Sequence, residues 1–248
     1  MKTALVTGGG GGIGSAICMK LALSGYQIIA TYHIDEKKAQ HLLNNLPGDG
    51  HRIVKASNTD PTAIAGLVRE VEKSHGKLHV LVNNAGITTP VAHDDLDGLS
   101  DAWIDQIMQT NFRGAFAMIR AFRPLLERSA AVDQSTVVIN ISSVAGQSGI
   151  GSNVAYCASK AAMDCMTKSL ARALAPKIRV VSIAPGWVVG EYSKNMDPSY
   201  LKQQQDATPL GRLAKGEDVA NMVLALCEQL TFTTGSILTV DGGRLLGK

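Results

Sequence analysis

The chain is 248 residues long, 45% of its residues are hydrophobic, and its formal net charge is +3. This length suits one large α/β domain or at most two small ones. The apolar content is enough for a sizeable core and too high for a disordered chain. Lysine and arginine are scattered singly rather than clustered, so the charge pattern does not predict a nucleic-acid surface.

The cysteines and histidines indicate neither a disulfide framework nor a metal site. The cysteines lack C-x-x-C spacing and fall within predicted helices, as reduced core thiols do. The six histidines have no metal-ligand spacing. No apolar run reaches the ~18 residues of a membrane span. The first predicted strand begins within a few residues of Met1, which leaves no signal peptide, so we expect a protein of the reducing cytoplasm without a membrane partner.

Strands and helices alternate along the whole chain. Apolar runs predict strands at residues 3–7, 27–32, 52–56, 78–82, 136–141, 178–184 and 236–240. Helices are predicted at residues 13–23, 35–46, 60–74, 100–128, 153–175 and 216–228. Asp35 is the expected N-cap of the second helix, and Pro61 the first residue of the third. We expect the long fourth helix to bend or break near Pro124, and segment 191–207 to be irregular.

This alternation predicts the fold class. Most of the strands are continuous apolar runs, as in parallel strands that are buried on both faces. Strands that alternate with helices predict a doubly wound α/β sheet with right-handed crossovers and helices on both faces. No linker, repeat or low-complexity segment interrupts the pattern, so we expect residues 1–248 to form a single domain.

A glycine run, TGGGGGIG, lies between the first predicted strand and the first predicted helix. Glycines at this place let the backbone turn tightly and approach a pyrophosphate at the positive helix N-terminus. Two registers fit: Gly9, Gly11 and Gly14 match G-x-G-x-x-G, whereas Gly8, Gly12 and Gly14 match a wider G-x-x-x-G-x-G. The position of the run predicts a dinucleotide site, and a flexible turn without a ligand is the alternative.

Three polar residues suggest proton-transfer chemistry. Tyr156 and Lys160 lie four positions apart and share one face of a predicted helix, and Ser143 follows a predicted strand. A free tyrosine has a pKa of about 10 and is a poor catalyst at neutral pH, but a nearby ammonium favours the phenolate. Alone, Y-x-x-x-K more often marks an ordinary amphipathic helix, so the prediction depends on the rest of the chain.

These motifs together resemble the short-chain dehydrogenase/reductase family, and within it the single-domain branch that contains the β-ketoacyl carrier-protein reductases. The resemblance extends over essentially the whole chain. Each motif is weak alone, but their shared order and spacing are specific. The other matching segments are NNAG at 83–86, TNFRGAF around Asn111, NISS before Val144, APG at 184–186, PLGRL at 209–213, and TG followed by VDGG near the C-terminus. The resemblance implies a Rossmann-type domain with a seven-stranded, mostly parallel sheet.

The resemblance implies an oxidoreductase that interconverts a ketone and a secondary alcohol by hydride transfer. Tyr156 would be the general acid in reduction and the general base in oxidation. Lys160 would lower the pKa of that phenol and hold the nicotinamide ribose, and Ser143 would hydrogen-bond the substrate oxygen. Asn111 would help to hold a water-linked proton relay. A helix-kink or capping residue is the alternative role of Asn111.

The resemblance also implies a nicotinamide dinucleotide cofactor, with the glycines in the wider register. Asn84 to Gly86 would pass beside the adenosine ribose, and the Val188 backbone would meet the nicotinamide carboxamide. Ser57 stands where an Asp or Asn often contacts adenine. The complete predicted cofactor set is Gly8, Gly10, Gly11, Gly12, Ile13, Gly14, Tyr32, His33, Ser57, Asn58, Asn84, Ala85, Gly86, Tyr156, Lys160, Pro185, Gly186 and Val188.

The end of the second strand is expected to select between NADP and NAD. A carboxylate on the adenosine ribose selects NAD, whereas basic groups favour the 2′-phosphate of NADP. A count of about twenty residues past the glycines reaches Asp35 or Glu36. However, the family places that acid where this chain has Tyr32, and Asp35 fits a helix cap better. His33, Lys37 and Lys38 lie close by, so we predict NADP, with NAD possible. Gly11 counts against NADP, because many NADP-dependent members carry Arg there.

Two further departures from the family concern structure and orientation. His79 replaces a common Asp, which we expect to be a structural change. Gly190 stands where a Thr often hydrogen-bonds the nicotinamide carboxamide, so its effect on the lid is open.

Substrate identity is the least determined feature. The expected lid at 187–207 mixes aromatic and charged residues, which suggests a partly apolar, partly polar substrate; alternatively, the aromatics only anchor the lid. The acidic loop at 87–99 would border the same mouth and repel an acidic carrier protein. The lid residues on which this interpretation rests are Trp187, Glu191, Tyr192, Lys194, Met196, Tyr200 and Lys202.

The resemblance further implies a homo-oligomer, usually a tetramer, in which the helices of Asn111 and Tyr156 pack against their copies. Two alternative functions stay open. One is an NAD-dependent alcohol, sugar or steroid-type dehydrogenase. The other is a non-catalytic dinucleotide-binding sensor, against which the intact set of Asn111, Ser143, Tyr156 and Lys160 argues.

Overall fold

The computed structural model describes residues 1–132, 134–190, 193 and 196–247. The strands are β1 (Thr3–Val6), β2 (Gln27–Tyr32), β3 (Arg52–Lys55), β4 (Val80–Asn83), β5 (Thr136–Ile141), β6 (Ile178–Pro185) and β7 (Ile237–Val240). The helices are α1 (Gly12–Leu23), α2 (Glu36–Asn45), α3 (Pro61–Ser74), α4 (Asp101–Met108), α5 (Gly114–Ser129), α6 (Ala145–Ser148), α7 (Val154–Leu174), α8 (Pro198–Asp206) and α9 (Gly216–Glu228). A π-helical segment, Gln109–Arg113, joins α4 to α5.

The strands form one seven-stranded sheet in the order β3-β2-β1-β4-β5-β6-β7. Each pairing between these strands in the described chain is parallel, so the predicted doubly wound α/β fold is confirmed. The chain winds outward from β1 in one direction and then from β4 in the other. A crevice therefore opens between the carboxyl ends of β1 and β4, where ligands bind in open α/β sheets.

Helices cover both faces of the sheet and enclose two cores. On one face, α1 and α9 pack on each other, and Ile17, Leu21 and Val223 are completely buried there. On the other face, α3, α5 and α7 bury Leu67 and Phe122, among others. Apolar side chains on both sides of the central strands explain why those strands are continuous apolar runs.

Local signals fix several helix ends as predicted. The Asp35 carboxylate accepts a hydrogen bond from the Lys38 amide at 3.0 Å and caps α2. The Asp60 carboxylate caps α3, which begins with Pro61. His79 also has the expected structural role, because its Nδ1 accepts a hydrogen bond from the Thr3 amide at 3.0 Å and holds β1 beside the start of β4.

Two predictions about helices are wrong. The long helix is not interrupted near Pro124, because α5 continues through it; the irregularity is the π-helical segment before α5. Pro124 is exposed, so water can satisfy the carbonyl group that proline leaves without a donor. The expected irregular segment 191–207 contains the helix α8, whose N-cap is Asp197 and whose first residue is Pro198.

Two kinds of feature are absent from the described residues. No described helix is long and apolar enough to cross a bilayer. The described part of the chain also contains no group of three or more His, Cys, Asp or Glu residues placed to hold a metal ion. The four cysteines are free thiols, and only Cys165 among them is exposed.

Candidate active site

The glycine run forms a tight loop between β1 and α1. Gly8 has a φ of +64°, which favours glycine. A methyl group on Gly14 would lie 2.4 Å from the Gly8 carbonyl oxygen, so only glycine fits there without movement of the loop. A methyl group on Gly12 would meet nothing within 4 Å. The loop is therefore closed against the protein at Gly8 and Gly14 and open to solvent at Gly12.

The Asn84 side chain holds this loop in place. Its amide nitrogen donates hydrogen bonds to the carbonyl oxygens of Thr7, at 2.9 Å, and Gly8, at 3.1 Å. The Thr7 hydroxyl in turn accepts hydrogen bonds from the backbone amides of Asn84 and Ala85. Thus the residues after β4 are bound to the residues after β1, and the two sides of the crevice keep a fixed separation.

The loop fits the pyrophosphate of a dinucleotide. Helix α1 begins at Gly12, and its N-cap residue Gly11 provides no side-chain hydrogen bond to the first turn. Its first amides and the positive end of its dipole therefore face the open side of the loop. Gly10 and Ile13, both half-buried, complete the rim, so backbone donors and free space occur where two phosphates need them.

Helix α7 begins at a side-chain cap that sets the position of Tyr156. The Asn153 carbonyl oxygen accepts a hydrogen bond from the Tyr156 amide at 2.7 Å. The Asn153 amide nitrogen donates to the Thr89 carbonyl oxygen at 2.6 Å, in the loop after β4. The first turn of α7 is thereby fixed to the crevice, and Tyr156 and Lys160 lie on its inner face.

Burial and one hydroxyl set the electrostatics of Tyr156. Desolvation raises the pKa of the phenol above its ordinary value, and the nearby Ser143 hydroxyl opposes that rise. The Ser143 hydroxyl also accepts a hydrogen bond from the Ala145 amide at 3.2 Å, which orients it at the start of α6. The structure thus brings together the predicted tyrosine and serine.

Lys160 is almost completely buried beneath the tyrosine. Its ammonium nitrogen donates a hydrogen bond to the Ile141 carbonyl oxygen at 2.8 Å and lies 5.6 Å from the centroid of the Tyr156 ring. Desolvation lowers the pKa of Lys160 to about 8, and the Asp164 carboxylate acts in the opposite direction. The expected lowering of the Tyr156 pKa by Lys160 is not seen in the structure, where burial keeps the pKa of the phenol above its ordinary value.

Asn111 lies in the π-helical segment and is completely buried. Its carbonyl oxygen accepts a hydrogen bond from the Ile87 amide at 2.8 Å, and its amide nitrogen donates to the Ile87 carbonyl oxygen at 3.0 Å. The same nitrogen donates to the Ser159 hydroxyl at 3.1 Å. A methyl group on Gly86 would lie 3.2 Å from Asn111 Oδ1. Asn111 thus joins the loop after β4 to α7, which agrees with its alternative role at a helix irregularity.

Acidic and basic groups meet at the end of β2. Tyr32 is half-buried, and burial together with the negative charge of the Glu36 carboxylate raises the pKa of its phenol. His33 and Lys37 are exposed beside it. The Lys38 ammonium lies 3.5 Å from the Asp35 carboxylate. The region therefore offers basic groups to a 2′-phosphate, but it also contains the Glu36 carboxylate beside Tyr32.

The other predicted adenine-side residues have bonds within the protein. The Ser57 hydroxyl shares a hydrogen bond with that of Thr59 at 2.8 Å. The Asn58 amide nitrogen donates to the Thr110 carbonyl oxygen at 3.0 Å, next to Gly114. Asn58 therefore braces the π-helical segment from the adenine side of the crevice.

The predicted nicotinamide-binding residues lie at the end of β6 and just after it. The Pro185 carbonyl oxygen accepts a hydrogen bond from the Val144 amide, and the Gly186 amide donates to Val240 at 3.1 Å. Val188 is buried and forms a bridge with Ala214. These bonds fix the backbone from 185 to 188 between α6 and the C-terminal strand.

The lid is described only in part. Glu191, Tyr192 and Lys194 lie outside the described residues. The Ser193 hydroxyl accepts a hydrogen bond from the Gly190 amide at 3.0 Å and closes the turn that follows β6. The rings of Trp187 and Tyr200 meet edge to face, with centroids 6.2 Å apart, so these two lid aromatics contact each other.

Sequence reasoning missed three residues that support the site: Asn153, Ser159 and Asp164. Asn153 had a readable signal, because an asparagine three positions before Tyr156 suits an N-cap. Asp164 also had one, since it follows Lys160 by one helical turn. Ser159 had none, because its contact with Asn111 depends on how the π-helical segment packs.

The fold and the site together define a nicotinamide-dependent oxidoreductase. The family described as Enoyl-(Acyl carrier protein) reductase matches residues 9–244. The 3-oxoacyl-[acyl-carrier-protein] reductase FabG of Staphylococcus aureus (strain Mu50) is 33% identical over 246 residues, which cover 98% of this chain and 97% of that protein. The chain belongs to the short-chain dehydrogenase/reductase family.

Solved structures agree with this assignment. The 3-ketoacyl-(acyl-carrier-protein) reductase of Brucella melitensis, complexed with NADH, is 31% identical with a TM-score of 0.90, and the match covers 98% of each chain. The Pseudomonas aeruginosa RhlG/NADP active-site complex is 31% identical with a TM-score of 0.89, over 98% of this chain and 96% of that one. These two relatives were solved with different nicotinamide dinucleotides.

Proposed function

We propose that the chain interconverts a ketone and a secondary alcohol, with Tyr156 as the general acid and base and with NADP(H) as the preferred cofactor. The observation that supports this most directly is the convergence of Tyr156, Ser143, Lys160 and Asn111 at the carboxyl edge of the sheet. They lie beside a loop whose shape fits a dinucleotide, and a sensor without turnover has no use for a buried ammonium beneath a phenol.

Each residue has one task in this mechanism. When bound, the nicotinamide supplies or accepts the hydride. The Ser143 hydroxyl donates a hydrogen bond to the substrate oxygen, and the Tyr156 phenol gives that oxygen its proton during reduction. The Lys160 ammonium stabilises the resulting phenolate. Asn111 fixes the loop after β4, so that the backbone at Gly86 stays beside Lys160. Oxidation of the alcohol reverses these steps.

Replacement of the phenol tests the chemistry. We expect Tyr156→Phe to lower kcat for ketone reduction by about 10²–10⁴-fold, the usual contribution of a positioned acid. Dinucleotide affinity should stay close to that of the wild type, because the ring remains. Tyr26→Phe is a matched control, since Tyr26 is a buried tyrosine whose hydroxyl has no partner in the described structure. Unchanged reduction by Tyr156→Phe would contradict the mechanism.

The choice of cofactor depends on the end of β2. His33 and Lys37 favour the 2′-phosphate of NADP, whereas the Glu36 carboxylate at Tyr32 can accept hydrogen bonds from the ribose hydroxyls of NAD. The second candidate is therefore an NAD-dependent alcohol, sugar or steroid-type dehydrogenase. Comparison of kcat/KM for NADPH and NADH decides between them. Glu36→Gln should shift the ratio further towards NADPH, because it removes a negative charge beside the phosphate.

The substrate class is proposed from the relatives and from the mouth of the site. The names of the relatives favour a 3-oxoacyl thioester. However, Asp94, Asp95 and Asp97 are exposed in the loop after β4, and they would repel an acidic carrier protein. We therefore expect a small 3-oxo substrate, such as a thioester of a short thiol, to be reduced at least as well as its carrier-protein form. A large preference for the carrier-protein form would contradict this proposal.

We also propose that the chain forms a homotetramer in the cytoplasm. Trp103 of α4 and Phe116 of α5 are each 38% exposed, and Phe232 and Leu246 are almost entirely exposed. These apolar side chains lie on the helices and the C-terminal region through which the family is expected to assemble. The free thiols suit a reducing compartment. Light scattering should report four chains per particle, and a monomer would contradict the proposal.

A further inference from the structure

A buried carboxylate lies one helical turn beyond the catalytic lysine. Asp164 is only 7% exposed and follows Lys160 by four positions, so the two side chains share a face of α7. Neither carboxylate oxygen has a hydrogen-bond partner of good geometry in the described chain. A buried charge without such a partner destabilises a fold, so its presence requires an explanation.

The surroundings of Asp164 are polar but already engaged. Ser142 follows β5 and Ser182 lies within β6. Their hydroxyls lie close enough to lower the pKa of Asp164, whereas burial raises it more strongly. Yet the Ser142 hydroxyl donates to the Lys160 carbonyl oxygen, and that of Ser182 shares a hydrogen bond of 2.8 Å with Thr167. These strands thus contribute neutral groups to the carboxylate.

The charges that act on Asp164 belong to its own helix. They are the ammonium groups of Lys160 and Lys168, and both favour the ionised carboxylate. Lys168 is exposed and therefore screened by water, whereas Lys160 is buried. Of the two ammonium groups, Lys160 therefore acts on Asp164 with less screening, because little solvent surrounds the two buried side chains, although no charged atoms of the pair lie within 4.0 Å of each other.

Lys160 needs such a partner. Burial lowers its pKa to about 8, and the only hydrogen bond of its ammonium within the described protein is to the Ile141 carbonyl oxygen. A neutral amine would not stabilise the Tyr156 phenolate. A carboxylate in the same buried layer favours the ammonium and opposes the effect of burial.

We propose that Asp164 is a positioning residue that keeps Lys160 in its ammonium form and thereby acts on Tyr156 through Lys160. It contacts neither substrate nor cofactor. This inference rests on the proposed function only for its effect on turnover; the effect on Lys160 is a property of the protein by itself.

Titration of Lys160 tests the proposal without any substrate. Lysine labelled with ¹³C at Cε reports the charge of each side chain by NMR, and Lys160→Arg identifies the relevant signal. In Asp164→Asn we expect the titration midpoint of Lys160 to fall by about one pH unit, at the lower end of what a nearby opposite charge produces. An unchanged midpoint would overturn the proposal.

Two further variants separate charge from packing. Asp164→Glu retains the carboxylate, so the Lys160 midpoint in this variant should recover at least half of the fall seen in Asp164→Asn. Lys168→Gln removes an exposed charge from the same helix and should leave the Lys160 midpoint within about 0.3 units, since screening in water is strong. If Asp164→Asn does not fold, Ser182→Ala replaces it. Loss of the Ser182 hydroxyl destabilises the ionised form of Asp164, and a neutral Asp164 no longer favours the Lys160 ammonium, so the Lys160 midpoint should again fall.

The pH profile of ketone reduction gives a second measurement. Reduction requires a protonated phenol and an ammonium, so activity falls as pH rises through their coupled titration. Asp164→Asn should move that basic limb to lower pH, and a purely structural role would lower activity without moving it. If ketone reduction is undetectable in the wild type, the proposed function fails, whereas the Lys160 titration still tests the role of Asp164.

Discussion

Removal of the Asn111 side chain should destabilise the protein measurably before any chemistry is considered. Asn111 makes three hydrogen bonds, two with the backbone of Ile87 and one with the Ser159 hydroxyl. At about 1 kcal/mol for each, Asn111→Ala should lower the free energy of unfolding by about 3 kcal/mol. Ser159→Ala removes one of these bonds and its own bond to the Tyr156 carbonyl oxygen, so it should cost about 1–2 kcal/mol.

Urea denaturation measures the difference. A loss of this size leaves a domain of ordinary stability folded, so both variants should show a lower midpoint with an unchanged slope. The protein concentration must be the same throughout, because self-association shifts apparent stability. If Asn111→Ala is as stable as the wild type, or if Ser159→Ala costs more than Asn111→Ala, then Asn111 does not hold the loop after β4 in the way that its contacts indicate.

Two further predictions concern the glycine loop and an ion pair. Gly14→Ala should lower stability by about 2 kcal/mol or more in thermal unfolding, since its methyl group meets the Gly8 carbonyl oxygen at 2.4 Å. Gly12→Ala should leave stability unchanged but weaken NADPH binding in a fluorescence titration. Equal losses of stability in the two variants would contradict this account. The Arg212 guanidinium lowers the pKa of Asp218 to about 2. Its contribution is present above the unfolded pKa of about 3.9 and is lost as pH falls through the folded pKa, so Asp218→Asn should cost about 1 kcal/mol at pH 7 and clearly less at pH 2, where about half of the folded Asp218 is protonated; a constant difference across this range would refute that account.

Much of the fold could be predicted because its signals are local. The apolar runs that form β4 and β5 are buried on both faces, which gives them a pattern that needs no knowledge of their partners. The caps at Asp35 and Asp60 are also local, because a carboxylate needs only the amides two or three positions ahead. Likewise, the spacing of Tyr156 and Lys160 follows from helix geometry alone.

The missed elements depend on contacts that are distant in sequence or on weak patterns. Helix α8 begins with Asp197-Pro198, the same signal as Asp60-Pro61, but none of its residues is buried, so it lacks the apolar periodicity that identified α3. The π-helical segment around Asn111 inserts an irregularity that hydrophobic spacing does not reveal. Pro124 attracted the prediction of a break, although its exposed position lets the helix continue.

Three asparagines share one structural task. Asn84 binds the glycine loop, Asn111 binds both backbone groups of Ile87, and Asn153 binds the Thr89 carbonyl oxygen while it caps α7. All three therefore hold the segment that follows β4, from the loop after β1, the π-helical segment and α7.

That segment includes Gly86, where a methyl group would lie 3.6 Å from Lys160 Nζ. An amide can donate and accept at once, so a single asparagine can satisfy both backbone groups of a residue without introducing a charge beside the buried ammonium. Aspartate in the same places would accept hydrogen bonds but could not donate them, and its charge would compete with Asp164 for Lys160. If Asp164 acts as proposed, the neutral asparagines leave the protonation of Lys160 to a carboxylate that lies one helical turn away.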